Sequence, residues 1–512
     1  MKKLRLLLLF LILLVVACGE SFDEFDEPET YEEYEEVDDE SAEPVDEVEE
    51  EAETADSSTQ PIHTTASEFN EDGCPFDVPN NYDITCGILT VPENRTQSDS
   101  PTIELAVAIV AAPDGAEAPP LVYLAGGPGG SGIDDFLADP EGWDYVFTHN
   151  RDLILLDQRG TGYSWPTLDC PEFQEVDEDE NPDELCYDRL VDEGIDLMAY
   201  NTQENAADVA ALREALGIEV WDLLGISYGT RLALEVMRNH PQGIQAVILD
   251  SPFPPNADTP VDEVYSFTDA LAELFTDCEQ DDYCQENYPD LEAVFLETVA
   301  RLNEDESAEI YGDDLVFALS SAFSDTSLVP LLPYVIYEVA NDNYDALDEI
   351  SEGDGTSRTR FQSDEDRSDS EGMYNSVICH DEYVLGDYER VESEVVGNIP
   401  EEIEGAMLQN TADLTQLCQY WNPMTRVDNT AVTSNIPTLI LVGQYDVATP
   451  PRWATLTART LSKSYLFEFP GAGHSLLSSV ECAITITNDF LNEPDAEPDD
   501  NCLDDIEWPY FE

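Results

Sequence analysis

The chain has 512 residues, and 42% of them are hydrophobic, which is an ordinary fraction for a globular protein. This length allows one elaborated domain or two. The charge is unusual, because 19 basic residues face 114 acidic ones and the formal net charge is −95. A chain this acidic repels polyanions, so nucleic acid is excluded as a partner. Acidic residues also dominate several segments far from the N-terminus, which indicates a hydrated anionic surface suited to high salt.

Residues 1–18 have the pattern of a secretory signal. Basic residues at the start precede the apolar run Leu6–Val16, which is too short for a comfortable membrane span. The four residues Val15–Cys18 resemble the lipobox of bacterial lipoproteins, in which the cysteine carries the lipid. This resemblance implies an exported protein that is anchored through Cys18 at the bacterial cell envelope and faces outward. An ordinary secretory signal with an incidental cysteine is the alternative.

The next segment, residues 19–65, contains a run that is rich in Glu and Asp and poor in aliphatic side chains, Glu20–Ser57. Such a run cannot bury enough apolar surface to fold, and its like charges repel one another. We therefore predict an acidic disordered stalk between the anchor and the folded part. A specific acidic interaction tail is the alternative.

Strands alternate with helices in residues 66–254. The predicted strands are Gly87–Pro92, Thr102–Ala111, Leu121–Ala125, Asp152–Leu156, a strand from about Val220, and Ala246–Leu249. The predicted helices are Glu204–Leu216 and Thr230–Asn239. This alternation is typical of an α/β protein with a mostly parallel, doubly wound sheet that has helices on both faces.

The alternation of strands and helices stops in residues 255–425, where polar helical segments dominate. They include Val261–Phe275, Leu291–Leu302 and Leu328–Val339, and no run of buried parallel strands is visible. We predict a helical cap over the sheet. Strands and helices alternate again in residues 426–512. The predicted strands are Thr438–Val442 and Tyr465–Phe469, and a predicted closing helix spans Leu476–Leu491.

The most informative stretch is the pentapeptide Gly225–Gly229, which fits the G-x-S-x-G nucleophile elbow. It lies between a buried strand and a helix, as that motif requires. The turn strains the backbone of Ser227, and the flanking glycines avoid collisions with the neighbouring strand and helix. Its hydroxyl is then held clear of the sheet at a helix N-terminus, which favours negative charge. A structural Gly/Ser turn is the alternative.

A serine hydroxyl needs a base, and the base needs an orienting acid. In this type of sheet the chain order is serine, acid, histidine. His474 lies in a Gly-rich loop after the last predicted strand, whereas the rival His380 lies in the cap. Asp446 directly follows strand Thr438–Val442 and is the predicted acid. Asp250, at the end of an earlier strand, is its competitor.

The tetrahedral intermediate of such a reaction needs two backbone N–H donors. One is expected from Tyr228, the residue after the serine. The other is expected from the glycine-rich loop Gly126–Gly132, because glycines let the backbone approach an oxyanion closely. A phosphate-binding loop is the rival interpretation, but the G-K-[ST] ending that it requires is missing.

Ten of the eleven cysteines lie beyond Cys18, and an even number in an exported chain predicts disulfides. Spacing suggests that sequence neighbours pair, although it does not determine the connectivity. The suggested pairs are Cys74 with Cys86, Cys170 with Cys186, Cys278 with Cys284, Cys379 with Cys418, and Cys482 with Cys502. No C-x-x-C motif or Cys/His cluster is present, so we expect neither a metal nor a cofactor.

Several segments together resemble the proline iminopeptidase and tripeptidyl aminopeptidase family of α/β-hydrolase peptidases. They are the loop Gly126–Gly129, the segment Asp157–Ser164 and the elbow, together with Cys86–Pro92 and the paired cysteines near Trp421 and the last helix. The resemblance covers about Cys74 to Cys502 and is closest to the exported tripeptidyl branch. Ala125 stands where proline iminopeptidases usually have histidine, which puts strict prolyl specificity in doubt.

This resemblance implies an α/β-hydrolase fold and assigns the triad to Ser227, Asp446 and His474. It assigns the oxyanion donors to Gly127 and Tyr228. The segment Asp157–Ser164 is expected to be structural, holding a strand end and a loop near the site.

An aminopeptidase also needs an anion for the ammonium group of its substrate. Asp381 and Glu382 are candidates, because a disulfide at Cys379 would hold them in place. The alternative is that Asp381 and Glu382 are ordinary solvated residues of the surface, since the chain has so many carboxylates.

The predicted function is that of a serine exopeptidase that releases short peptides or single residues from peptides with a free N-terminus. A carboxylic-ester hydrolase with the same triad is an alternative, because a fold does not determine its substrate. A non-catalytic surface lipoprotein is a third possibility. Contact with the membrane is expected through the lipid anchor only, and the oligomeric state is left open.

Overall fold

The computed structural model describes residues 67–147, 150–175, 181–305, 307–351, 367, 369–382, 387–421, 428–506 and 511. The predicted signal peptide, the stalk and the lipidation site at Cys18 lie outside the described residues.

One sheet of nine strands organises this part of the chain. The strands are β1 (Glu68–Asp72), β2 (Ile84–Pro92), β3 (Thr102–Val110), β4 (Leu121–Leu124), β5 (Leu153–Leu156), β6 (Trp221–Ile226), β7 (Ile244–Asp250), β8 (Thr438–Gly443) and β9 (Ser464–Phe469). Their order is β1-β2-β3-β5-β4-β6-β7-β8-β9. The pairs from β1 to β5 are antiparallel, and all pairs from β5 to β9 are parallel. Strands β4, β5 and β8 are buried along their whole length, as expected of parallel strands covered on both faces.

Helices flank the sheet and fill the long connection between β7 and β8. They are α1 (Gly132–Ala138), α2 (Pro140–Phe147), α3 (Glu172–Glu175), α4 (Pro182–Asp192), α5 (Thr202–Ala215), α6 (Tyr228–Asn239), α7 (Thr259–Gln280), α8 (Asp282–Asn287), α9 (Leu291–Glu304), α10 (Gly312–Ala322), α11 (Leu332–Ala340), α12 (Ala346–Ser351), α13 (Glu371–Val377), α14 (Asp387–Val395), α15 (Glu401–Tyr420), α16 (Pro451–Ala458) and α17 (Glu481–Asn492). A π-helical turn, Ile378–Glu382, extends α13. Short 3₁₀ turns occur at Leu197–Ala199, Val329–Leu331, Leu476–Ser478 and Asn501–Asp505. Among the helices in the described ranges, none combines the length and apolar character needed to cross a bilayer.

Alternate residues of the central strands face different helices. Leu224 of β6 belongs to a cluster with Phe490 of α17, whereas the adjacent Leu223 belongs to a second cluster with Leu212 of α5 and Leu232 of α6. The sheet is therefore covered by helices on both faces, as the alternation of elements predicted.

The helical connection between β7 and β8 has a hydrophobic core of its own. Phe267, Phe295 and Val335 are fully or almost fully buried members of this cluster. The cluster also includes Tyr445, in the loop after β8, whose ring stacks on Phe323 at a centroid distance of 5.7 Å. The helical region, which contains no strand among its described residues, thus packs directly on the loop that carries Asp446.

Five disulfides lie in the described part of the chain. They join Cys74 to Cys86, Cys170 to Cys186, Cys278 to Cys284, Cys379 to Cys418, and Cys482 to Cys502, which are the pairs that the spacing suggested.

The predicted closing helix differs from the observed one. Instead of a continuous helix from Leu476, a 3₁₀ turn spans Leu476–Ser478 and α17 begins only at Glu481. The start of the turn is held by a tertiary contact, because the carboxylate of Asp250 accepts the backbone N–H groups of Leu476 and Leu477, each at 2.9 Å.

The excess of acidic residues predicts a stability that depends on salt. Raising NaCl from 10 mM to 1 M shortens the screening length from about 30 Å to about 3 Å, so repulsion between acidic side chains weakens. We expect the melting temperature near neutral pH, followed by circular dichroism, to rise over this range. KCl should produce the same rise if screening is the cause, and a melting temperature indifferent to both salts would contradict the expectation.

Candidate active site

The turn between β6 and α6 holds Ser227 in an unusual backbone conformation. Its φ is 55° and its ψ is −123°, a region that costs a non-glycine residue about 1–3 kcal/mol. The flanking glycines explain how the turn closes. A Cβ on Gly225 would lie 2.3 Å from the carbonyl oxygen of Gly229, and one on Gly229 would lie 1.9 Å from the carbonyl oxygen of Leu124. Neither position therefore tolerates a side chain.

Backbone hydrogen bonds hold the serine in this conformation. The N–H of Ser227 donates to the carbonyl oxygen of Asp250 at 3.0 Å. The carbonyl oxygen of Ser227 accepts from the N–H and the hydroxyl of Thr230, at 2.9 and 2.6 Å. The end of β7 and the first turn of α6 thus both contribute to the position of Ser227.

The predicted acid and base meet at the same edge of the sheet. Asp446 follows β8 and His474 follows β9, so both loops leave the carboxyl ends of neighbouring parallel strands. The Oδ2 atom of Asp446 lies 2.8 Å from Nδ1 of His474. The side chain of Asp446 is completely buried, whereas that of His474 keeps a 16% exposed fraction. A buried carboxylate in this place can hold the imidazole in one orientation and stabilise its protonated form.

Thr449 completes the surroundings of Asp446. Its backbone N–H donates to Oδ1 at 2.7 Å, and its hydroxyl donates to Oδ2 at 2.8 Å. The hydroxyl also lies 3.3 Å from Nδ1 of His474. Our sequence prediction missed this residue. The only signal for it is general, because Asp side chains often accept hydrogen bonds from backbone N–H groups close to them in the chain.

Asp250, the competing acid, has a different set of contacts. Its carboxylate accepts two backbone N–H groups from the 3₁₀ turn that follows His474, while its own carbonyl oxygen accepts the N–H of Ser227. Burial raises the pKa of its carboxyl group to about 6, although these hydrogen bonds oppose the shift. Asp250 thus links the loop that carries Ser227 to the loop that carries His474. The rival base, His380, lies in the π-helical turn with Nδ1 at 3.0 Å from Oδ1 of Asp381.

The loop that carries His474 is also held by the helical region. Ser324, between α10 and α11, accepts the N–H of His474 at 2.9 Å through its carbonyl oxygen. A Cβ on Gly473 would lie 2.5 Å from the carbonyl oxygen of Phe323. The helical region and the loop after β9 are therefore in direct backbone contact.

The glycine-rich loop passes beside the serine. A Cβ on Gly126 would lie only 3.8 Å from Oγ of Ser227, and Gly127 has a φ of +103°, a conformation that favours glycine. Tyr228 is the first residue of α6, so its N–H has no partner within the helix. Gly126, which precedes the predicted oxyanion donor Gly127, therefore lies beside Ser227, and Tyr228, the other predicted donor, follows the serine in the chain.

The segment Asp157–Ser164 braces this loop. The carboxylate of Asp157 accepts the hydroxyl of Ser131 at 2.8 Å and the N–H groups of Ile133 at 3.0 Å and Tyr163 at 2.8 Å. The amide of Gln158 donates to the carbonyl oxygen of Ala125 at 3.0 Å. Asp157 is fully buried, and burial raises the pKa of its carboxyl group to about 7. These contacts are structural, as the sequence predicted for this segment.

Arg159 anchors the same segment to α5. Its guanidinium forms two hydrogen bonds with the carboxylate of Asp208, at 2.8 and 2.9 Å, and donates to the carbonyl oxygens of Glu93 and Ala199, each at 2.6 Å. The side chain is completely buried, and this bidentate pairing compensates the cost of burying its charge.

Asp381 and Glu382, the predicted ligands of a substrate amine, belong to a buried ionic network. Asp381 accepts the N–H of Thr202 at 3.2 Å and also contacts the Thr202 hydroxyl, while Glu382 accepts the hydroxyl of Thr259 at 2.5 Å. Both carboxylates pair with Arg231 on α6. Burial raises the pKa of Glu382 to about 7, whereas the contacts with His380 and Arg231 outweigh burial at Asp381 and lower its pKa.

The side chains of these two acids are 0% and 3% exposed, and their charges are compensated by Arg231. The contacts thus give Asp381 and Glu382 a structural place between the helical region and α6. Their role as amine ligands stays a prediction that this geometry does not favour. No local sequence pattern indicates Arg231, because its partners lie about 150 residues away in the chain.

A sheet of this topology, with a serine at the strained turn after β6, defines a serine hydrolase of the α/β-hydrolase fold. Residues 119–287 match a family model described as alpha/beta hydrolase fold, and residues 406–502 match one described as TAP-like protein. The predicted fold class is thereby confirmed.

Three curated proteins extend this assignment. Serine protease Hip1 of Mycobacterium tuberculosis is 26% identical over 432 residues, which cover 77% of this chain and 82% of that protein. Tripeptidyl aminopeptidase of Streptomyces lividans is 29% identical over 34% of this chain and 36% of its own length. Proline iminopeptidase of Lactobacillus helveticus is 34% identical over 26% of this chain and 36% of its own length. The chain is thus similar to peptidases of the α/β-hydrolase fold, in one case over most of its length.

Proposed function

We propose that the protein is a serine exopeptidase that releases short peptides or single residues from peptide N-termini through an acyl-enzyme on Ser227. The observation that carries the proposal is the 2.8 Å contact between Asp446 and His474, at the edge of the sheet where Ser227 follows β6. Similarity to peptidases over most of the chain supports the choice of a peptide bond as the target.

In the first half of the proposed reaction, Oγ of Ser227 attacks the carbonyl carbon of the scissile bond and its proton passes to Nε2 of His474. Asp446 holds the proton on Nδ1 and stabilises the imidazolium. The N–H groups of Gly127 and Tyr228 donate to the oxyanion, and the N-terminus of α6 adds its partial positive charge. His474 then protonates the leaving amine, the C–N bond breaks, and an ester on Ser227 remains.

In the second half, water attacks the ester while His474 accepts one of its protons. Collapse of the second tetrahedral intermediate breaks the ester bond, and His474 returns the proton to Oγ of Ser227. The products are a free carboxylate and the shortened peptide. No metal or organic cofactor takes part in this scheme.

The negative charge of the protein supports a preference for substrates with a free N-terminus. A formal net charge of −95 creates a field that attracts cationic peptide ends and raises their local concentration. The position of the anion that binds the ammonium group is a separate matter, because Asp381 and Glu382 already pair with Arg231.

We also propose that the protein acts outside the cytoplasm, held at the cell envelope by a lipid on Cys18. Five disulfides are typical of exported proteins. The charge pattern and the lipobox-like residues before Cys18 support the anchor.

A digest of a peptide library, read by mass spectrometry, tests the exopeptidase. We expect peptides with free N-termini to lose N-terminal fragments and their acetylated copies to remain intact. Ser227→Ala is the matched control and should release nothing, and a fluorophosphonate probe should label the wild type but not this variant. Equal cleavage of acetylated peptides would overturn the exopeptidase. Hydrolysis of p-nitrophenyl esters without any cleavage of peptides would favour an esterase instead.

A further inference from the structure

Tyr228, whose backbone N–H is a proposed oxyanion donor, has a side chain that the proposed reaction does not use. The ring is completely buried. It belongs to a small hydrophobic cluster that includes Met373 of α13 and both halves of a disulfide, Cys379 and Cys418. The backbone of Tyr228 thus directly follows Ser227, while its ring lies in a cluster with residues of the helical region.

The phenol of Tyr228 belongs to a chain of hydrogen bonds. Its oxygen lies 2.9 Å from the hydroxyl oxygen of Thr202, the first residue of α5, and accepts the side-chain amide of Asn205 at 3.3 Å. The carboxylate of Asp381 contacts the Thr202 hydroxyl and accepts the Thr202 N–H at 3.2 Å. Thr202 therefore lies between Tyr228 and the π-helical turn that carries Asp381.

The charge of Asp381 determines the direction of these hydrogen bonds. Burial alone would raise its pKa, but contacts with His380 and Arg231 outweigh burial and lower it, so the carboxylate is ionised and can only accept. The single hydroxyl proton of Thr202 therefore goes to Asp381. The phenol of Tyr228 must then donate to Thr202, and burial raises the pKa of this phenol, which keeps its proton in place. The chain of donors thus allows one arrangement only.

The far end of this chain is anchored in the helical region. The π-helical turn extends α13, and the disulfide at Cys379 joins it to α15. Arg231, three residues after Tyr228 on α6, lies 3.9 Å from the carboxylate of Asp381 and also pairs with Glu382. Two side chains from the start of α6 are therefore connected to the same π-helical turn, one directly and one through a threonine.

We propose that Thr202 and Asp381 are positioning residues for the oxyanion hole. They hold the phenol of Tyr228 in one orientation, and through it they hold the backbone N–H of the same residue where the oxyanion develops. Such donors are effective because they are oriented before the reaction begins. The first N–H of a helix has no partner within the helix, so an anchor on its own side chain can supply this order. The inference rests on the proposed function, because it takes Ser227 as the nucleophile.

The rate of labelling by a fluorophosphonate probe tests this role, because the probe reacts with Ser227 and places an oxygen at the oxyanion donors. The second-order rate constant is compared between the full chain and its Thr202→Val and Tyr228→Phe variants. We expect each variant to label about tenfold more slowly, a smaller loss than the 10²–10³-fold that follows removal of a donor outright. Both changes break the same chain, so the double variant should lose little more than either single one. Thr202→Ser keeps the hydroxyl and should label at nearly the wild-type rate.

Hydrolysis of p-nitrophenyl acetate gives a second readout. Thr202→Val and Tyr228→Phe should lower kcat and kcat/KM alike, as expected when an interaction of the transition state is weakened. Thr298→Val is the matched control, because both threonines are 4% exposed and the Thr298 hydroxyl donates to the carbonyl oxygen of Val294 within α9. This control should lower the melting temperature without changing the rate of labelling.

A purely structural role would lower the melting temperature of Thr202→Val and leave the labelling rate of the folded protein unchanged. Wild-type labelling rates in Thr202→Val and Tyr228→Phe would therefore overturn the inference. Tyr228→Phe keeps the buried ring and decides the question by itself if Thr202→Val does not fold. A wild type that is not labelled at all would instead contradict the proposed function, so the two failures are distinguishable.

Discussion

Replacement of Asp446 by asparagine is expected to lower kcat for peptide hydrolysis about 10⁴-fold, the loss seen when the orienting acid of other triads is changed in this way. The amide has nearly the same shape as the carboxylate and can still accept the N–H of Thr449, so the loop should keep its conformation. It carries no charge, however, to stabilise the imidazolium of His474, and its NH₂ group favours the wrong tautomer. Steady-state kinetics on a cleavable peptide, with circular dichroism to verify folding, measures the effect.

Asp250→Asn is the matched control, because Asp250 is also a buried carboxylate at the end of a strand. Its oxygens accept backbone N–H groups of Leu476 and Leu477, so asparagine would leave one of them without an acceptor. We expect a loss of stability of about 1–3 kcal/mol and a loss of activity of only about tenfold. If Asp250→Asn were inactive while Asp446→Asn retained activity, the acid of the triad would be Asp250.

Replacement of Gly229 by alanine is expected to destabilise the protein by about 4 kcal/mol or more, or to prevent folding. The added Cβ would lie 1.9 Å from the carbonyl oxygen of Leu124 and 2.7 Å from its carbonyl carbon. Both atoms belong to the backbone of β4, a fully buried strand that pairs with β5 and β6. The clash can therefore be relieved only by moving α6 away from the sheet. Urea unfolding, followed by circular dichroism, gives the free energy of unfolding.

Gly405→Ala controls for the chemistry of the substitution. Gly405 lies on the exposed side of α15, and no atom lies within 4 Å of an added Cβ. Alanine has the higher helix propensity, so this change should stabilise the protein by about 0.5–1 kcal/mol. Equal effects of the two substitutions would show that the close approach of α6 and β4 does not govern the stability of the elbow.

Most of the sheet could be predicted from sequence, because each parallel strand is a short apolar run with its own turn signals. Thus Leu121–Ala125 and Thr438–Val442 were placed within one residue of β4 and β8. β1, in contrast, was missed. Its residues Glu68–Asp72 are largely polar and exposed, and only pairing with β2 makes them a strand.

The candidate site shows the same division. The chain order of serine, acid and histidine favoured Asp446 as the partner of His474. Asp250 also comes at the end of a buried strand, however, so the sequence pattern alone left two candidates for the acid. In the structure Asp446 contacts the imidazole, while Asp250 contacts the backbone after it. Asp250 is the last residue of β7, whereas Asp446 lies beyond the end of β8, in a loop whose Tyr445 packs in the core of the helical region.

By itself, the sequence determined the alternation of strands and helices, the serine elbow and the even set of cysteines. These features depend on residues that are close in the chain, where spacing and local backbone preference decide the outcome. Only the tertiary structure decided that Asp381 and Glu382 pair with Arg231 and that Thr202 lies between Tyr228 and Asp381. Such contacts join residues tens to hundreds of positions apart, and the folding of the whole domain sets their distances.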